Sequence, residues 1–259
     1  MSQISFDNKL YLCGCKLNNI NNEKENLDTN TNSDSFSSSF MYCIDILKEP
    51  LNITFEVNSC YTHYYPSLCI LRSEYIVVIA GLKSMKCEYY SITNKRWKDL
   101  PDLPEERYGC CSICDNTYNC IYCFGGYNSQ NKKCCMSVLK LNINICTKWD
   151  TLIVMENSEY LARKFSCIVK KNEAHYIILG GRNNFNYPTD DIVEIEIKGK
   201  KIKVTQDNDK KISNKAEFVN LREGIVLSNG NAFFFDGEIK DIVHKIENDY
   251  ISLIKLNQK

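Results

Sequence analysis

Ile121-Tyr122-Cys123-Phe124-Gly125-Gly126 is an apolar, β-favouring run that stops at two glycines. Such a run reads as a buried strand, and the glycine pair as a place where the backbone turns sharply or passes close to other chain. Working outward, four more runs of this kind occur. They are Leu10-Tyr11-Leu12-Cys13-Gly14-Cys15, Ile76-Val77-Val78-Ile79-Ala80-Gly81, Tyr176-Ile177-Ile178-Leu179-Gly180-Gly181 and Ala232-Phe233-Phe234-Phe235-Asp236-Gly237. The first members of the pairs, Gly14, Ala80, Gly125, Gly180 and Asp236, are 66, 45, 55 and 56 residues apart. The long first step holds residues 18–39, rich in Asn, Ser, Asp and Thr, which read as a disordered insert with little to bury.

Each pair is preceded by another apolar run and a polar turn, the pattern of an antiparallel hairpin. Ser67-Leu68-Cys69-Ile70-Leu71 precedes Arg72-Ser73-Glu74, and Cys111-Ser112-Ile113-Cys114 precedes Asp115-Asn116-Thr117. Two more strand-like segments follow each pair, as in residues 87–92 and 96–100. Four strands per unit, repeated with one short helix expected near residues 154–163, predict an all-β repeat protein.

The stretch Tyr90-Ser91-Ile92-Thr93-Asn94-Lys95-Arg96-Trp97-Lys98-Asp99-Leu100-Pro101, running on through Arg107 to Gly125-Gly126, resembles the kelch family. It has an aromatic, six residues, Trp, then Leu, Pro, Arg and a strand leading to the next glycine pair. The next unit keeps Trp149 and Arg163 but has Leu141 for the aromatic. The resemblance implies a kelch-type β-propeller of five four-stranded blades, with six the alternative, over a single domain 1–259. Ile4-Ser5-Phe6 is expected to close the ring by completing the last blade.

Thirty-two basic and thirty-two acidic side chains cancel, so no long-range field draws the chain to nucleic acid or an anionic membrane. The N-terminus lacks the basic and continuous apolar stretches of a signal peptide, and no segment approaches the ~20 apolar residues of a membrane span. A soluble, cytoplasmic protein is expected. Fifteen cysteines, an odd number in a long chain, read as reduced thiols filling small apolar positions.

Cys110, Cys111, Cys114, Cys120 and Cys123 contain two C-x2-C pairs, which alone would suggest zinc. On strands, positions three apart face opposite sides, so core thiols are the favoured reading and no metal or other cofactor is expected. His63, His175 and His244 are widely separated, and no nucleophile elbow, phosphate loop or zinc-protease motif is present. The chain is therefore expected to be no enzyme but a protein-interaction module or scaffold. The resemblance to kelch receptors implies a rim site at Tyr64, Tyr65, Arg107, Tyr108, Tyr127, Asn128, Arg163, Arg182, Asn183, Asn184 and Arg222. Arginine and tyrosine there would suit an acidic or aromatic-bearing protein or peptide, possible partners being cytoskeletal or a ubiquitin-ligase component. The alternative is a kelch-fold enzyme or small-molecule binder such as a sugar-acid epimerase.

Overall fold

The computed structural model describes residues 2–14, 39, 41–45, 47, 52–189, 191–211, 221–226, 232–236, 242–247 and 250–255. Apart from Ser39, the insert at residues 18–39 lies outside the described residues. β1 (Ser2–Phe6), β2 (Lys9–Cys13), β3 (Met41–Asp45) and β4 (Asn52–Phe55) form one antiparallel meander. β5 (Ser67–Leu71), β6 (Tyr75–Gly81), β7 (Ser84–Ser91) and β8 (Arg96–Leu100) form the next. β9 (Cys111–Asp115) and β10 (Cys120–Phe124) follow, then the short hairpin β11 (Tyr127–Asn128) and β12 (Lys133–Cys134), then β13 (Val138–Asn142) and β14 (Trp149–Val154). A 3-10 turn at Ser158–Leu161 stands where a short helix is expected. β15 (Cys167–Asn172), β16 (His175–Leu179), β17 (Asp191–Lys198) and β18 (Lys201–Lys211) come next, before β19 (Leu221–Val226), β20 (Ala232–Asp236), β21 (Ile242–Glu247) and β22 (Tyr250–Lys255).

The expected kelch-type propeller of five discrete four-stranded blades is corrected by the pairing of β14 with β18. Ile153 opposes Lys201 and Val154 opposes Ile202 in parallel, because the outer strands of two meanders approach and their free edge groups bond each other. The result is one eight-stranded mixed sheet of order β15-β16-β17-β18-β14-β13-β10-β9. Its end strands, β15 and β9, lie against one another, so the sheet is nearly closed and barrel-like. The kelch resemblance is accordingly confined to the sequence signature, and the repeat-scaffold reading built on it falls with it.

The expected closure by the N-terminal strand is also corrected. Asp7 and Asn8, both at positive φ, make a two-residue hairpin turn that returns β1 onto β2, with Ile4 opposite Tyr11. β19 to β22 form a complete four-stranded sheet without it.

Burial follows the layering. β10 is buried at every position because apolar side chains cover both of its faces. One face joins Tyr122, Phe124, Val138 and Leu152 to Ile168, Tyr176, Ile178, Val193, Ile195 and Val204, a core enclosed by the eight-stranded sheet. The other joins Ile121, Cys123, Leu139 and Leu141 to Val77, Ile79 and Cys87 of the preceding meander. Trp149 closes that second core, donating its indole N–H to Pro101 O at 2.8 Å. Among the described residues no helix is long and apolar enough to cross a membrane.

Candidate functional site

Three loops enter their meanders in the same way, and the residue that leads each one is buried. Arg107 Nη1 donates to Gly125 O (3.2 Å) and Arg163 Nη1 to Gly180 O (3.0 Å), each gripping the first glycine of a pair. His63 takes the corresponding place one meander earlier, with Nδ1 2.7 Å from Ala80 O. A carbonyl can only accept, so Nδ1 carries a hydrogen. The other ring nitrogen meets Glu88 Oε1 at 2.8 Å.

Glu88 is fully buried on β7 and directly opposite Asp99 on β8. Like charges placed opposite on neighbouring strands are destabilising unless something cationic relieves them. Glu88 also accepts from the Cys60 and Tyr61 backbone N–H groups at 3.1 and 3.3 Å, which brings the 60–63 segment down over the pair. Ligand-capable atoms of Cys60, Glu88 and Asp99 thereby lie within 4.8 Å of one another. Burial, then Glu88 and then Asp99, pushes the exposed Cys60 thiol above its ordinary pKa. A cation placed among the three would reverse that field. His63, donating to Glu88, fixes the carboxylate from behind.

The expectation of a chain without catalytic or ligand chemistry is overturned by this convergence. So is the reading as a protein-binding scaffold, which rested on a propeller rim. No signal in the sequence marked the cluster, since its three members come from separate segments with no motif spacing.

The residues expected at a rim divide into two kinds. Arg107 is fully buried, with Nη1 on Ser137 O (2.8 Å) and Nη2 on Glu105 (2.5 Å), and Arg163 Nε donates to Tyr160 O (2.6 Å). Both therefore bind the chain's own backbone rather than a partner. Asn128 Oδ1 accepts from Gln130 and Asn131 N–H, Asn183 Oδ1 from Phe185 and Tyr187 N–H, and Asn184 Oδ1 from Cys134 N–H. These amides shape loops. Arg182 donates to Asn186 O at 2.9 Å. Arg222 lies on β19, where the backbone alone is described.

Tyr64, Tyr65, Tyr108 and Tyr127 are brought together, with Phe165 as a fifth ring that sequence reasoning missed. Tyr65 packs on Tyr64 (5.1 Å between centroids) and on Phe165 (5.6 Å), and Tyr108 on Tyr127 (5.5 Å). Phe165 and Tyr65 occupy equivalent loop positions, two residues after Arg163 and His63.

The Cys110 and Cys123 thiols meet in a buried hydrogen bond, but the two members of each C-x2-C pair are not brought onto one site. Cys111 opposes Phe124, Cys114 opposes Ile121 and Cys120 opposes Asp115 along the β9–β10 ladder. Cys114 Sγ instead meets Cys69 Sγ at 3.1 Å across to β5. All fourteen cysteines among the described residues are free thiols, most of them buried.

No family model matches the chain, and no curated protein matches it. Among solved structures it is similar to one described as "Structure of YjhT", with a TM-score of 0.64 and 12% identity over 96% of this chain and 81% of that one. At that identity the likeness is one of fold.

Proposed function

We propose that the protein is an enzyme or small-molecule binder centred on a divalent cation held by Cys60, Glu88 and Asp99. The observation that carries this reading is the convergence of their three ligand atoms within 4.8 Å. The opposition of Glu88 and Asp99 across β7 and β8 supports it, because it sets two carboxylates side by side on neighbouring strands. One thiolate and two carboxylates suit a borderline metal such as zinc, and three protein ligands leave a fourth position for water or substrate. Bound there, the ion would supply Lewis-acid polarisation or an activated water. The free thiols support a reducing compartment, and with it a cytoplasmic protein acting as one domain over residues 1–259.

Zn2+ titration against a competing chromophoric chelator tests the reading. One equivalent should bind tightly to the wild type, and Asp99→Asn and Cys60→Ser should each weaken it at least tenfold. Because Zn2+ must displace the Cys60 proton, affinity should climb as pH rises. Binding that is indifferent to Asp99→Asn would place the ion on other cysteines and sink the proposal.

A further inference from the structure

Tyr65, Gly109 and Phe165 stand at equivalent positions of three successive loops and are joined head to tail. Gly109 N–H donates to Tyr65 O (2.9 Å), and Phe165 N–H donates to Gly109 O (2.6 Å). All three have left-handed backbone, with φ of +54°, +61° and +58°. That region suits glycine and is costly for a bulky aromatic, so Tyr65 and Phe165 are held there by their surroundings. Gly109 makes the arrangement possible, because a Cβ at that position would fall 2.7 Å from Phe165 Cε1.

The strain places aromatic rings side by side at one end of the sheets. Tyr64 is exposed, while Tyr65, Tyr108, Tyr127 and Phe165 are half-buried. Their mutual angles are T-shaped or tilted, the arrangements that aromatic rings favour. Lys164 reaches over them, with Nζ 4.7 Å from the Tyr127 centroid, 5.7 Å from Tyr108 and 5.9 Å from Phe165. No carboxylate among the described residues forms an ion pair with it. The neighbouring amide oxygens of Asn128, Asn183 and Asn184 each accept from backbone N–H groups.

We propose that Tyr64, Tyr65, Tyr108, Tyr127 and Phe165, with Lys164, form a binding site for a small aromatic carboxylate. The ligand's ring packs among the aromatic side chains, and its carboxylate takes the charge-assisted hydrogen bond that Lys164 can donate. The site is independent of the cation at Cys60, Glu88 and Asp99.

Isothermal titration of indole-3-acetate into the full chain, with EDTA present to keep metal out, tests the proposal beside indole and glucuronate. Indole-3-acetate should bind with one-to-one stoichiometry, and the two comparison compounds should bind roughly tenfold or more weakly. Lys164→Met and Tyr65→Gly should each cost about tenfold in affinity. Tyr65→Gly removes a ring where the backbone favours glycine, and Phe165→Gly replaces it should its melting temperature fall. Absence of indole-3-acetate binding at millimolar concentration, equal binding by the variants, or glucuronate binding as tightly would each overturn the proposal. Loss of Zn2+ binding in the separate chelator assay would leave it standing.

Discussion

His63 Nε2 lies 2.8 Å from Glu88 Oε1, and neither side chain has any exposed surface. With Ala80 O accepting from Nδ1–H, the imidazole is held at both of its ring nitrogens. Removing His63 leaves the buried Glu88 carboxylate with only the Cys60 and Tyr61 backbone N–H groups to hold it. His63→Ala should therefore lower the unfolding free energy by about 3–5 kcal/mol in urea titrations. An unchanged midpoint would show that the pair holds nothing together.

Gly125 has φ +57°, and a Cβ there would sit 2.4 Å from the Arg163 carbonyl oxygen. Backbone cannot yield as a side-chain tip can, so Gly125→Ala should cost about 3 kcal/mol or more. Gly199, with φ +63° and nothing within 4 Å, is the control. Gly199→Ala should cost only the backbone strain, about 1 kcal/mol. Equal losses in the two variants would refute the close-approach account.

Asp115 ties the end of β9 to the following meander through the Lys170 ammonium (2.9 Å) and the Tyr176 hydroxyl. Burial acts to raise its pKa, but those two groups outweigh burial and hold the carboxyl below the ordinary value of 3.8. The stabilisation is present above the unfolded-state pKa and is lost as pH falls through the lower folded value. Asp115→Asn should thus cost about 2 kcal/mol at pH 7, and the difference from wild type should vanish in strong acid. A pH-independent difference would contradict this linkage.

Cys60 is an exposed thiol whose pKa is raised by burial and by the Glu88 and Asp99 charges. Since the thiolate is the reactive form, iodoacetamide should label it slowly near neutral pH. Asp99→Asn should speed labelling, and Zn2+ should suppress it in the wild type alone. Peptide mapping identifies the labelled thiol, and insensitivity to both changes would separate Cys60 from the acidic pair.

Strand content was legible in the sequence wherever an apolar run was bounded by turn residues, as at 76–81, 121–126 and 176–181. The joining of β14 to β18 was not legible, because it uses backbone groups of Ile153, Met155, Lys200 and Ile202 that carry no side-chain signature. Arg107 and Arg163 were misleading for a related reason. A cationic residue in a loop reads as a surface group, yet both guanidiniums are buried on glycine carbonyls. Tyr64, Tyr65, Tyr108 and Tyr127 could be placed together by aligning the units. Phe165 could not, because its counterpart in the best-matched unit is Gly109 and only the fold shows that one makes room for the other. Cys60, Glu88 and Asp99 meet through strand register and a loop, which no spacing rule encodes.

The parallel seam between β14 and β18 consists of two rungs, with Ile153 and Met155 N–H donating to Lys200 O and Ile202 O. The antiparallel ladders on either side are longer, so the seam is the cheaper joint to open. Hydrogen exchange at those two amides would then record a local parting of the sheet, decoupled from the slower exchange of β10 and β16. A barrel fastened in this way can breathe along one line while both halves of its wall remain folded.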